Sequence, residues 1–228
     1  MEFKIIHSFK NANSATGLTV VIDVFRAFTT ACFVISNGAE KLIPIADINA
    51  AYDLKKENPD YILMGEREGI RPQGFDYGNS PAEIENVRFE NKTVIHTTTT
   101  GTKAIIGAKN AKEIITGSFV NAGAVINYIK RLKPLHVSLL CAHDMDEETE
   151  DAMFANYVKN HIEGNPMDFE TIKNYLEHHP RSKWYLDNNN PVLKKDFYLC
   201  LDLDRFDFVL KAEEDKRGFV YLRKLNQT

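Results

Sequence analysis

The sequence predicts an α/β fold, layered α/β/α, with a largely parallel or mixed sheet. Three observations predict it. Short β-branched runs alternate with helical stretches over most of the chain, the pattern of strand–helix–strand units. The run LTVVIDV at 18–24 is a continuous β-branched run up to its aspartate, as expected of a strand buried on both faces. Polar side chains suited to ligand binding recur just after these runs, at the strand ends where open α/β sheets bind ligands.

The elements follow in order. Residues 18–24 form the first strand and 26–37 a helix, which Gly38 would stop. Residues 41–45 are a second strand, 48–56 a second helix, and 61–64 a third strand ending at Gly65-Glu66-Arg67. A polar loop then leads to Ser80, a residue suited to an N-cap. Pro81 follows at the first helical position and Glu83 three residues after the cap, a capping box with proline at N1. Residues 93–98 are a strand, broken by Gly101 before a helix at 102–108. A short strand at 113–115, a helix at 121–132 and a strand at 136–141 precede an acidic helix from about 146 to 160. From 163 to 190 the pattern turns polar and irregular, with Gly164, Pro166 and Pro180. It reads as an inserted helix and loops, a candidate lid or subdomain at about 161–190, within a single domain spanning 1–228. Residues 207–210 and 219–222 read as a terminal antiparallel pair.

Bulk properties narrow the function. The 228 residues suffice for a substantial core, and 43% hydrophobic with 26% charged residues is ordinary for a globular protein. A net charge of −4 implies no broad basic surface, so no nucleic-acid partner is expected. Cys32, Cys141 and Cys200 lie in apolar contexts without metal-ligand spacing and read as buried small hydrophobes. The N-terminus is too short and charged for a signal peptide, and no apolar run would span a bilayer. No membrane partner is expected, and a reducing cytoplasm is the expected compartment.

Four strand ends carry chemistry. Asp23 closes the first strand ahead of Arg26, Thr29 and Thr30. It is either an oxygen ligand for a hard cation such as Mg²⁺ or a helix-start carboxylate bound to backbone amides. Glu66-Arg67 follows the third strand, as functional groups or as a structural ion pair. Thr97, Thr98, Thr99, Thr100, Gly101, Thr102 and Lys103 form a hydroxyl-rich, glycine-turned loop with a cationic end, either an anion loop or a plain strand end and turn. It is not a Walker A loop. The last of these strands leads to His143 and then to acidic residues ending at Glu150 and Asp151. Most of those would suit a helix start, while Glu150 and Asp151 could help hold a metal. His7, His96 and His143 lie near strand ends without a ligand motif, Ser80 lacks a GxSxG elbow, and Cys141 has no evident base partner. The amides at the Ser80 helix start, flanked by Gly74 and Gly78, could receive an anion. Carboxylates for a divalent cation beside Arg, Ser and Thr groups for oxyanions suit phosphoryl transfer to water.

These residues also match a known family. VIDVFRAFTT at 21–30 with its preceding valine, GER at 65–67, GFDYGNSPAE at 74–83, TTTTGT at 97–102 and Glu150-Asp151 occur in order over about residues 18–155. Together they resemble the 2-phosphosulfolactate phosphatase (ComB) family. The chain departs from the family pattern at Phe28, Glu68, Thr100 and His143. The resemblance implies a Mg²⁺-dependent phosphoric monoester hydrolase that converts 2-phospho-3-sulfolactate to 3-sulfolactate and phosphate, a step toward coenzyme M. On this reading Asp23, Glu66, Glu150 and Asp151 are metal candidates, and Arg26 and Arg67 grip the anionic groups. Asn79, Ser80, Thr98, Thr99, Gly101, Thr102 and Lys103 contact the substrate. The nucleophile is a water activated by the cation or by a carboxylate, with a phospho-aspartate at Asp23 as the rival. The partner is a small anionic phosphoester, and a homodimer is the candidate assembly. The alternative is a non-catalytic anion-binding or regulatory module that keeps the fold.

Overall fold

The computed structural model describes residues 1–143, 149–187 and 189–226. Its strands are β1 (Glu2–His7), β2 (Gly17–Ile22), β3 (Lys41–Pro44), β4 (Ile62–Gly65), β5 (Thr93–Thr97), β6 (Ala111–Gly117), β7 (His136–Cys141), β8 (Phe208–Glu214) and β9 (Val220–Asn226). They form one mixed sheet in the order β1-β7-β2-β6-β8-β9-β3-β5-β4. Two parallel blocks, β1-β7-β2-β6 and β3-β5-β4, are joined by the antiparallel β8–β9 ribbon. The joints are short. β8 meets β6 at Ile115↔Lys211 and Thr116↔Leu210, and β9 meets β3 at Leu42↔Leu222.

Helices α1 (Ala27–Ser36), α2 (Ile48–Glu57), α3 (Pro81–Ile84), α4 (Gly101–Gly107), α5 (Ala122–Leu132), α6 (Glu150–Glu163), α7 (Phe169–His178), α8 (Lys183–Leu186) and α9 (Pro191–Cys200) surround this sheet. Helix α1 is apolar all round, and all its residues but Ser36 are buried, as expected of a helix inside a core. Its Phe28 and Phe33 share one cluster with Val21 of the first block and Leu42, Met64 and Val94 of the second. Burying each such ring contributes roughly 1.5–3 kcal/mol, so α1 cements the two blocks. On the other face of the first block, Val125 and Ile129 of α5 and Phe154 and Val158 of α6 pack on Val20, Ile22 and Leu139. Ala51 and Leu54 of α2 pack on Ile43, Leu63 and Ile95 of the second block. No helix among the described residues is long and apolar enough to cross a membrane.

The predicted layered α/β/α class and the terminal antiparallel pair are observed. Strand β1 and helix α9 went unread in the sequence, as did a 3₁₀ helix at Phe9–Ser14. Strand β1 alternates charged and apolar residues at the sheet edge, a period-two pattern in EFKIIH. Helix α9 opens at Asn190-Pro191, a cap-then-proline start like that of Ser80-Pro81, with the Asn190 side chain accepting from the Val192 amide. Residues 161–190 are more helical than expected, carrying α7, a 3₁₀ turn at Pro180–Ser182 and α8. The expected start of the acidic helix at about 146 lies outside the described residues. Helix α6 begins at Glu150, with Thr149 as its N-cap.

Gly65 ends β4 with φ +145°, and a Cβ there would lie 1.9 Å from the Thr97 carbonyl oxygen. Only glycine lets β4 and β5 approach this closely just before Glu66. Gly65→Ala is expected to cost about 3 kcal/mol in denaturant unfolding, through backbone displacement and not lost packing. A midpoint unchanged from the parent would contradict this.

Candidate active site

Asp23 lies one residue beyond β2 and is almost fully buried. Its Oδ1 accepts from the Ala27 amide at 2.9 Å, and its Oδ2 accepts from Thr100 Oγ1 at 3.3 Å. Thr100 follows β5, so this contact shows the carboxyl ends of the two parallel blocks converging. Gly101 makes the convergence possible, because a Cβ there would stand 2.7 Å from Asp23 Oδ2. The next backbone amide, Val24, donates to Asp151 Oδ1 at 2.8 Å. Asp151 Oδ2 accepts from His143 Nδ1 at 3.2 Å, and His143 Nε2 lies 3.4 Å from Thr100 Oγ1. Asp23, Thr100, His143 and Asp151 thus form one continuous polar chain.

Its electrostatics are strained. Burial pushes the Asp23 carboxyl up to about 6; His143 opposes the rise, while Asp151 and Glu66 add to it. Burial and then Asp151 push Glu150 up to about 7. Burial works against the His143 imidazolium, but its bond to Asp151 and the charges of Asp23, Asp151 and Glu150 raise it to about 10. Donor atoms of His143, Glu150 and Asp151 lie within 4.8 Å of one another, a grouping able to hold a metal ion.

Glu66 braces a second wall. Its Oε1 accepts from the Thr99 amide at 2.7 Å, and its Oε2 accepts from Thr99 Oγ1 at 2.9 Å and the Gly69 amide at 2.8 Å. Arg67 turns away from it. Its guanidinium donates to the carbonyls of Glu66 and Ala46 and to Thr97 Oγ1.

The third wall is built around Asp196 of α9. Its Oδ2 pairs with Arg26 Nη1 at 2.6 Å, and its Oδ1 accepts from Ser80 Oγ at 2.7 Å and the Ala82 amide at 2.9 Å. The Arg26 guanidinium lies 5.5 Å from the Trp184 ring centre and 5.8 Å from that of Tyr185. Asn79 completes the wall. Its Oδ1 is 3.1 Å from Nε2 of the buried His96, whose pKa burial lowers to about 4. The neutral ring therefore donates to Asn79 and orients its amide.

These walls enclose a cavity of about 250 Å³. Of the residues expected at the site, Asp23, Arg26, Glu66, Asn79 and Thr99 line it. Glu150 lines an adjoining cavity of about 180 Å³. Others lie behind or away from the walls. Thr98 and Thr102 bond to each other and close the turn into α4. Lys103 sits over the Phe9 ring at 5.3 Å, and the buried Asp151 stands behind His143. The expected anion site at the Ser80 amides is filled from within. Asp196 takes the Ala82 amide and Ser80 Oγ takes that of Glu83, while Pro81 has no N–H. The capping box is half formed, since Glu83 accepts from the Gly78 amide in place of the Ser80 amide. Sequence reasoning missed Phe25, Trp184, Tyr185 and Asp196, and set His143 aside for want of a motif. The start signal of α9 was the one available pointer to Asp196. The acidic residues at 144–148 lie outside the described residues.

The profile of the 2-phosphosulpholactate phosphatase family matches residues 4–215. The chain belongs to this family. Its relatives include proteins called probable 2-phosphosulfolactate phosphatase in several organisms. The one from Thermoplasma volcanium is 31% identical over 204 residues, covering 88% of this chain and 92% of the relative. That from Bacillus subtilis is 29% identical over 219 residues, covering 94% and 95%. That from Carboxydothermus hydrogenoformans is 40% identical over 149 residues, covering 65% and 62%. Family membership makes the chain a phosphoric monoester hydrolase, and it lends weight to a cavity rich in oxygen donors.

That cavity suits a divalent cation on its own chemistry. Asp23 and Glu150 are held above their ordinary values because burial and neighbouring carboxylates disfavour their charge, an imbalance that a hard cation with oxygen ligands would relieve.

Two outcomes follow for this phosphatase-family site. Asp23 binds protons more tightly folded than unfolded, so its charge costs stability as pH rises from about 4 through 6. With a chelator present, Asp23→Asn should match the parent at pH 4 and melt about 5 °C higher at pH 7. A gain that is independent of pH would contradict the assignment. Asp196→Ala should cost about 3–5 kcal/mol in denaturant unfolding, because it strands Arg26 as an unpaired buried charge. A loss below 1 kcal/mol would show that the ion pair is not structural.

Proposed function

We propose that the chain hydrolyses 2-phospho-3-sulfolactate to 3-sulfolactate and phosphate with Mg²⁺ as cofactor. The convergence of Asp23, Glu66, Asn79, Arg26 and His143 on one cavity carries this reading, supported by family membership and the names of the relatives. Asp23 and Glu150 are the metal ligands of choice, with Glu66 and Asp151 in support. Both oxygens of the latter two accept hydrogen bonds at 3.2 Å or less, whereas Asp23 Oδ2 has only the 3.3 Å contact from Thr100. A bound Mg²⁺ would neutralise charge on the phosphoryl oxygens.

The chain's own groups do the rest. Arg26, fixed by Asp196, faces the cavity with a permanent charge for a phosphoryl oxygen. The Asn79 amide, oriented by His96, offers a neutral donor. The attacking water gives up a proton to the cavity carboxylates as its oxygen bonds to phosphorus. The bond from phosphorus to the C2 oxygen breaks, and that oxygen takes a proton from His143 Nε2, whose ring Asp151 holds in place. Trp184 and Tyr185 line the remaining side.

The test is phosphate release by the purified protein over a panel of phosphoesters that includes 2-phospho-3-sulfolactate and 2-phospholactate. Release should require Mg²⁺, stop with a chelator, and fall by about 10²-fold or more in Asp23→Asn. Full turnover in that variant would refute the role of Asp23. Ligand binding without release from any ester would favour the non-catalytic alternative.

A further inference from the structure

The catalytic cavity does not end at the phosphoryl site. Phe25, His143 and Tyr185 line both it and the adjoining cavity of about 180 Å³, so the two are neighbouring lobes on either side of these side chains. The second lobe lies between the end of α7 and the 3₁₀ turn at Pro180–Ser182, where Arg181 and His179 line it.

The cations of the two lobes are unequal. Arg26 is bound to Asp196 and His143 to Asp151. His179 accepts the Arg181 backbone amide at its Nδ1. The Arg181 guanidinium has no carboxylate within ion-pair distance among the described residues. Of the two arginines that line the lobes, Arg26 and Arg181, it is the one left without such a partner among the described residues. Phe25, Leu176 and Tyr185 give the lobe apolar sides, against which a small carbon skeleton would rest. His143, Glu150, His179 and Ser182 give it polar ones, and a guanidinium in such a mixed lobe is a receptor for a planar carboxylate or a tetrahedral sulfonate.

We infer that Arg181 is a specificity-determining residue, which binds the second anionic group of the substrate while the phosphoryl group occupies the first lobe. This rests on the phosphatase reading for its substrate but not for its geometry. It assigns a role to the segment at 161–190: this part of the chain selects phosphoesters that carry a further acid.

The decisive comparison uses wild type, Arg181→Gln and Arg181→Lys. Arg181 is exposed, so its replacement should leave folding intact, which thermal unfolding checks. With 2-phospho-3-sulfolactate, Arg181→Gln should raise KM about 10–100-fold with little change in kcat, and Arg181→Lys should recover part of the loss. Glycerol 2-phosphate keeps the three-carbon skeleton without either acid, and its KM should not change. 2-Phospholactate separates the two acids: a penalty there assigns the carboxylate to Arg181, and its absence assigns the sulfonate. A binding titration with 3-sulfolactate stands apart from turnover, and Arg181→Gln should weaken that binding by the same factor. Equal effects on the diacid and on glycerol 2-phosphate, or unchanged 3-sulfolactate binding in the variant, would overturn the inference. Failure of every ester to release phosphate would instead overturn the phosphatase reading, leaving the titration to judge Arg181.

Discussion

The site depends on one buried carboxylate. Asp196 is fully enclosed and joins three segments remote in sequence: Arg26 before α1, Ser80 and Ala82 at the start of α3, and its own helix α9. Burial pushes its pKa up, while Arg26, the Ala82 amide and Ser80 pull it down. A buried charge is tolerable only when its partners arrive together, so the three segments have a single satisfactory arrangement. That arrangement sets the Arg26 guanidinium at the cavity wall against Trp184 and Tyr185. It also consumes the amide donors that an exogenous anion would otherwise use. The conspicuous helix start at Ser80 therefore anchors the residue that anchors Arg26.

A second constraint is backbone approach. The two parallel blocks meet through the β8–β9 ribbon at very few residue pairs, so their relative placement is set largely by α1 and by contacts at their carboxyl ends. Glycine is required where those ends come closest, at Gly101 against Asp23, and within the second block at Gly65 against Thr97. Side chains there would force apart the strands that bring Glu66 and Asp23 to one cavity.

Legibility in the sequence followed the range of the interactions. Strands β2 to β7 and the positions of Asp23, Glu66 and Thr99 could be read because a strand and the residue after it are set by local pattern. Orientation was harder. Lys103 shares its motif with Thr102, yet each helical residue turns about 100° from the last, which sends Lys103 to Phe9 and Thr102 back to Thr98. Arg67 is adjacent to Glu66, but its donors are claimed by Ala46 and Thr97, contacts 21 and 30 residues away. Asp196, Trp184 and Tyr185 come from a polar stretch without a clear period. Their role arises from contacts with Arg26 more than 150 residues earlier, which no local window contains.

Charge balance then constrains the order of events on the proposed reading. Asp23, Glu66, Glu150 and Asp151 cluster at the two lobes with His143 as their main internal counter-charge, since Arg26 is neutralised by Asp196. A phosphoester bearing further acids would meet net repulsion there. Charges a few ångströms apart in a partly desolvated space interact by about several kcal/mol, enough to prevent binding of a small ligand. A divalent cation would offset the carboxylates of the first lobe, and Arg181 supplies positive charge to the second. Each makes the space more favourable for the same polyanion, so cation and substrate should bind with positive coupling. The raised Asp23 and Glu150 carboxyls reflect this in the protein alone: without a cation the site lowers its own charge by holding protons. Cation and protons thus compete for the same carboxylates, so the site is most costly to stability in the deprotonated state that receives the metal.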